Sequence, residues 1–279
     1  MIQTSSIPTS ICLALATLAV LASSFVRAQD DVPDRLDLTN FPGEIVDKVV
    51  VPIPVEIFSV LDKLGELEWG NGISIPENEP QTTERAILAL TFGSLVGEGF
   101  IAVQAKDQEK IQKVGHRVLN LSESLGLASA VRPHSLGIIE AADLRDWERV
   151  RQELDNTQQT VRETMERLRD DELSGLVSLG GWLRGTHVVT VFISEAYSED
   201  KAELLNQPGL ISHFREELAS MTGPSKSSSE IRALSTGLAR LEGVITDEET
   251  ISEEDINELR EISQTMLEEF YFGTEEAAN

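Results

Sequence analysis

Two long apolar runs constrain this 279-residue chain more than any other feature. One lies between Thr82 or Thr83 and Lys106, the other spans about Leu173 to Ala196. Each carries glycines four apart, in Gly93-Ser94-Leu95-Val96-Gly97 and Gly181-Trp182-Leu183-Arg184-Gly185. A helix that is apolar all round has no face to offer water and belongs inside a fold. Glycines four apart share one helix face and admit a second backbone, an advantage that must exceed the ~1 kcal/mol each helical glycine costs. The pattern predicts two central, tightly packed helices, most simply packed on each other, with Gly93, Gly97, Gly181 and Gly185 as the close-approach positions. An offset of 88 residues relates the two elements and also aligns Leu88 with Leu176 and Val103 with Val191. Duplication of a helix pair is one source of such a pattern; chance among common residues is the other.

The rest of the chain supplies amphipathic helices to surround that pair. Ile57, Phe58, Val60, Leu61, Leu64 and Leu67 recur at helical spacing after Pro54. Asp107 caps a helix that Gly126 ends, and Pro133 opens the next stretch. The longest candidate helix runs from Ala141 to about Glu172, with Trp147, Leu154, Val161 and Leu168 spaced by seven. Ser198 caps a further helix, Pro208-Gly209 breaks it before another from Leu210 to Met221, and Ser252-x-x-Asp255 forms a capping box ahead of the last. Strand signals are confined to the β-branched run Val188 to Ile193, where a strand competes with helix. The expected fold is all-α, a multi-helix bundle or stacked antiparallel helix pairs.

The first 28 residues read as an export signal. A polar start leads into the apolar segment Ile11 to Phe25, and Val26-Arg27-Ala28 suits cleavage before Gln29. The expected organisation is a signal peptide (1–28), an extended lead-in (29–54), a main helical domain (55–221), a linker rich in Gly, Pro and Ser (222–229) and an acidic C-terminal helical segment (230–279). The single cysteine, Cys12, would leave with the signal, so the mature chain would have no thiol or disulfide and would depend on its core. Localisation is expected to be periplasmic or secreted.

Charge narrows the partners. The chain has 48 acidic and 23 basic residues, a formal net charge of −25. Such a surface repels phosphate backbones and anionic headgroups, which excludes nucleic acid as an expected partner. The apolar runs are interrupted by Glu98, Arg184 and His187, which argues against stable membrane insertion once the signal is gone. Between Val244 and Asn279 stand 12 carboxylates and one arginine, the pattern of a solvated face, without the spacing of a calcium loop.

Motifs that carry chemistry are missing from the sequence. The four histidines, His116, His134, His187 and His213, form no His-Glu-x-x-His or Glu-x-x-His arrangement, and no nucleophile elbow, phosphate loop or dinucleotide fingerprint occurs. No catalytic residue, metal site or cofactor is assigned. Glu98 and His187 stand out because each is polar within an apolar Gly-bearing helix and must find a partner there. The expectation is a non-enzymatic, exported, acidic helical protein acting as a protein-interaction or scaffold module, of unassigned oligomeric state, with another protein as its partner. The alternative is a small-ligand or metal-binding bundle with its site near Glu98 and His187.

Overall fold

The computed structural model describes residues 44–46, 49–51, 54–168, 170–246 and 250–273. The signal segment with its cleavage point, most of the lead-in and the Asp247-Glu248-Glu249 triplet lie outside the described residues. The fold is all-α. Its β structure among the described residues is one antiparallel hairpin, β1 (Glu44–Val46) and β2 (Val49–Val51), with Glu44 opposite Val51.

Ten helices follow among the described residues. These are α1 (Pro54–Lys63), α2 (Arg85–Gln104), α3 (Gln108–Leu125), α4 (Ala128–Asp143), α5 (Trp147–Leu168), α6 (Asp171–Glu195), α7 (Glu199–Ala202), α8 (Pro208–Ser220), α9 (Ser229–Val244) and α10 (Glu253–Leu267). Their ends follow the sequence chemistry. Pro54 opens α1, where its missing N–H has no helical partner to lose. The Asp107 carboxylate accepts the Lys110 N–H, and Gly126 ends α3 at φ 78°. Ser252 and Asp255 cap α10 reciprocally.

Contacts between helices give their directions. Arg85 at the start of α2 reaches the Leu125 carbonyl at the end of α3, Gln108 of α3 reaches Asp143 of α4, and Arg149 of α5 pairs with Glu140 of α4. Helices α2 to α5 therefore run alternately up and down. Helix α6 then returns along α2 in the same direction, since the pairs Leu90/Gly180, Gly93/Gly181 and Gly97/Arg184 advance together along both chains. The antiparallel expectation describes the consecutive helices but not the central pair. Both α2 and α6 are long and apolar enough to cross a membrane, and most of each is buried against other helices.

The C-terminal helices complete this same core. On α10 the residues Ile256, Leu259, Ile262 and Met266 are buried, as is Phe270 in the π-helical turn Glu268–Phe272, while Glu253, Glu254, Glu258 and Glu261 face water. The described residues form one compact unit, and the segment read as a linker is a surface connection containing a 3-10 turn (Pro224–Ser227).

Three local expectations are corrected. The helix expected from Ala141 to Glu172 is interrupted after Asp143, where Arg145 adopts φ 56° and separates α4 from α5. Within α5 the core residues are Val150, Val161 and Met165, whereas Leu168 is 53 % exposed. A stripe spaced by seven drifts about 20° per heptad around a straight helix, so its last member leaves the core. Pro133 lies inside α4, six positions into a helix that starts at Ala128. The helix expected from about Leu173 to Ala196 is present as α6, and its β-branched run at 188–193 is helical rather than a strand, because Val188, Val189, Phe192 and Ile193 are buried there and burial overrides local propensity.

Candidate functional site

The centre of the molecule is the crossing of α2 and α6. A Cβ atom on Gly93 would stand 1.9 Å from the Val177 carbonyl oxygen, and one on Gly180 would stand 2.1 Å from that of Leu90. Gly97 and Gly181 have slightly more room, with nearest atoms at 3.3 Å. Gly185 is not at the crossing: nothing lies within 4 Å of its Cβ position. Its expected place is taken by Gly180, which the four-residue spacing passes over and the Gly180-Gly181 doublet could have revealed. Ser94 reinforces the approach by donating its hydroxyl to the Gly180 carbonyl at 3.0 Å.

One turn beyond the glycines, α2 carries Glu98 and α6 carries Arg184. Both are buried, at 0 % and 1 % exposure, and Arg184 Nε donates to Glu98 Oε1 at 2.5 Å. The same guanidinium donates through Nη2 to the Gly72 carbonyl at 2.6 Å, and the Ser74 N–H reaches both Glu98 oxygens at 3.2 and 3.3 Å. Burial pushes the Glu98 carboxyl above its usual range, against the opposing pull of Arg184 and its hydrogen bonds. The Tyr271 hydroxyl sits against this carboxylate without a hydrogen bond of regular geometry, and burial together with the Glu98 charge raises it well above the usual phenol value.

His187 does not join Glu98. Its Nδ1 lies 3.2 Å from Ser263 Oγ on α10, and its ring stands edge-on to Phe272 with centroids 6.5 Å apart. Burial, and then the positive charge of Arg184, lower its pKa to about 4, so it is neutral at neutral pH. The partner Glu98 finds is Arg184, the one charged residue inside the two Gly-x-Leu-x-Gly elements.

The connection between α1 and α2 lies over this pair as a strap. Trp69, at the start of the 3-10 turn Trp69–Gly72, is buried edge-on against Phe192 with ring centroids 4.9 Å apart. Gly72 is required there, because a Cβ would stand 2.9 Å from the Phe192 ring. Further on, Arg117 of α3 donates to the Pro76 and Asn78 carbonyls and places Nε 3.4 Å from the Glu79 carboxylate. Sequence reasoning missed Arg117, whose signal is a lone arginine on the apolar side of α3 beside Val114, Val118 and Leu121.

Of the remaining histidines, His116 is exposed, and His134 and His213 are held by neighbouring side chains. His134 spans α4 and α5, with Nδ1 3.1 Å from Glu153 Oε2 and Nε2 3.0 Å from Thr160 Oγ1. That acid–imidazole–hydroxyl order resembles a nucleophilic triad, but the Thr160 hydroxyl already donates to the Asn156 carbonyl at 2.9 Å. It also sits mid-helix, where backbone N–H groups are engaged and cannot stabilise an oxyanion. His213 lies 3.5 Å from Glu217, one turn further along α8. Among the described residues no group of three His, Cys, Asp or Glu side chains is placed to hold a metal ion. A half-open cleft of about 220 Å³ between α6 and α8 has Leu176, Leu179 and Leu218 at its floor and Asp171, Glu172 and Glu217 at its rim, apart from the Glu98 site. No protein-family model matches the chain, and neither a curated protein nor a solved structure matches it.

Proposed function

We propose that this protein is an exported, acidic binding module for another polypeptide rather than a catalyst. The observation that supports this reading best is the closed polar set at the α2–α6 crossing. Glu98 and Arg184 neutralise each other, and their remaining capacity holds the main chain of residues 72–74. The inward charges thus grip polypeptide, and the chain as a whole carries a net charge of −25. A field of that sign favours a basic partner. The small-ligand or metal alternative draws less support, because both Glu98 oxygens are engaged and His187 Nδ1 faces Ser263.

Native mass spectrometry of the protein purified from its own source tests the reading. A stoichiometric protein partner, released by raised salt because surface attraction is screened, is expected. A retained small mass without a protein partner would overturn it. N-terminal sequencing of the same sample should begin at or near Gln29. Intact Met1 in a membrane fraction would remove the export claim.

A further inference from the structure

The strap is held in an unusual way. Between residues 73 and 84 no side chain is fully buried; Ile73 and Ile75 pack half-buried against the core, and every polar hold from the helices beneath is on the main chain or on Glu79. Arg184 takes the carbonyl of Gly72, Glu98 takes the N–H of Ser74, and Arg117 takes the carbonyl of Pro76. In an extended chain, residues two apart present their N–H and C=O groups to the same side. Positions 72, 74 and 76 thus form one polar edge. A bend at 77–78 then returns the Asn78 carbonyl and the Glu79 carboxylate to the same Arg117 guanidinium. Three helices together present one acceptor and two forked donors to that edge, in the manner of a neighbouring strand.

We infer that Glu98, Arg117 and Arg184 form a binding groove for an extended polypeptide, occupied here in cis by residues 72–79 and open to an extended segment of a partner protein when the strap is displaced. This inference rests on the binding-module reading above and names its surface. The seated strap shows what the groove accepts, a chain read through alternate main-chain groups, which makes recognition tolerant of side-chain sequence. Displacement is favoured by the way the strap is built. A segment with few buried apolar contacts opens locally far more often than the core does. The buried Trp69 and the start of α2 keep it tethered at both ends meanwhile. A link serving only to join α1 to α2 would need no buried charge, whereas here two guanidinium groups and a carboxylate are withdrawn from water to meet its main chain.

The test uses the full-length chain and a fluorescein-labelled synthetic peptide reproducing residues 70–80. Ser74→Pro deletes the N–H that Glu98 accepts while leaving the groove untouched, and Ile73 before it is already extended at φ −82°, ψ 117°. The peptide should bind this variant at least tenfold more tightly than the unaltered chain, because the competing strap is weakened. Adding Arg117→Ala should abolish that gain, as should a proline at the Ser74 position of the peptide. Equal binding to both chains, or binding indifferent to Arg117, overturns the inference. Hydrogen exchange on the unaltered chain tests it without relying on the variant: excess peptide should speed exchange of the Ser74 amide and leave the α2 core amides slow, and an unchanged Ser74 rate counts against it. A stoichiometric native partner that leaves Ser74 exchange unchanged would defeat this inference while the broader reading stands.

Discussion

The α2–α6 crossing and the α4–α5 hairpin are both pairs of helices packed side by side, and they are made of opposite materials. At the crossing, backbones meet at Gly93 and Gly180 and the one ion pair is sealed from water. In the hairpin, side chains keep the helices apart. His134 bridges Glu153 and Thr160, Arg149 reaches Glu140 at the surface, and Leu136, Leu144 and Leu168 are left more than half exposed. Gly137 of α4 makes the contrast plain, since the nearest atoms to a Cβ there all belong to the Glu153 side chain, its carboxyl carbon first at 3.2 Å, and a side-chain end can move. Substitutions at the crossing strike backbone that cannot yield, and those in the hairpin strike side chains that can.

The largest effect should come from filling the crossing. Gly93→Leu places its Cβ inside the Val177 carbonyl, and Gly180→Ala does the same at Leu90, so overpacking should reach or exceed ~3 kcal/mol. Circular dichroism and thermal melts of both variants should show little or no cooperatively folded protein. A Gly93→Leu chain that melts like the parent would break the distinction between the two regions.

Next is the buried ion pair. Arg184→Ala leaves the Glu98 charge without its partner and the Gly72 carbonyl without its donor, at an expected cost of about 3–5 kcal/mol. Replacing both members, as Glu98→Leu with Arg184→Met, should cost clearly less than the two single losses added together. Arg149→Ala in the hairpin removes an exposed pair and should cost no more than ~1 kcal/mol. Urea denaturation of these variants, with Glu98→Leu and Arg184→Met singly, measures the contrast.

A pH dependence should then follow from His187. Its folded-state value of about 4 lies below the ordinary 6.5, so between those values the unfolded chain takes up a proton that the folded chain refuses. The stability contribution is complete above pH 6.5 and is lost as pH falls toward 4, by up to ~3 kcal/mol. Glu98, shifted upward, acts with the opposite sign, its contribution declining as pH rises through the raised value. Urea midpoints at pH 7 and 4.5 should therefore fall less for His187→Gln than for the parent. Equal losses would show that His187 is not the group being held neutral.

The smallest effects sharpen the map of the crossing. Gly185→Ala meets nothing within 4 Å and Gly137→Ala meets only the Glu153 side chain, so both should be neutral or stabilise by up to ~1 kcal/mol through helix propensity. A marked drop in melting temperature for Gly185→Ala would return that residue to the packed interface.

The site was legible in its parts rather than in its pairing. Glu98 and His187 are conspicuous as polar residues in apolar helices, and each has a partner, but the partners are Arg184 and Ser263. Which of two polar residues three positions apart faces α2 depends on the rotation of α6 about its axis. That rotation is set by Gly180 and Gly181 against α2. Arg117 escaped notice because its acceptors are carbonyls of the strap, and a backbone carbonyl leaves no mark in the sequence.

What the sequence determined by itself was local and periodic: the helical class, the caps at Asp107, Ser198 and Ser252, the end at Gly126, and the apolar side of α10. Each follows from a few neighbouring residues whose chemistry has one good backbone solution. Tertiary structure decided the parallel sense of α2 and α6, the break at Arg145, the helix at 188–193 and the meeting of Glu98, Arg184 and Arg117 under the strap. Those outcomes join residues far apart in the chain, and burial and steric fit between whole elements select them over the local preferences that sequence periodicity records.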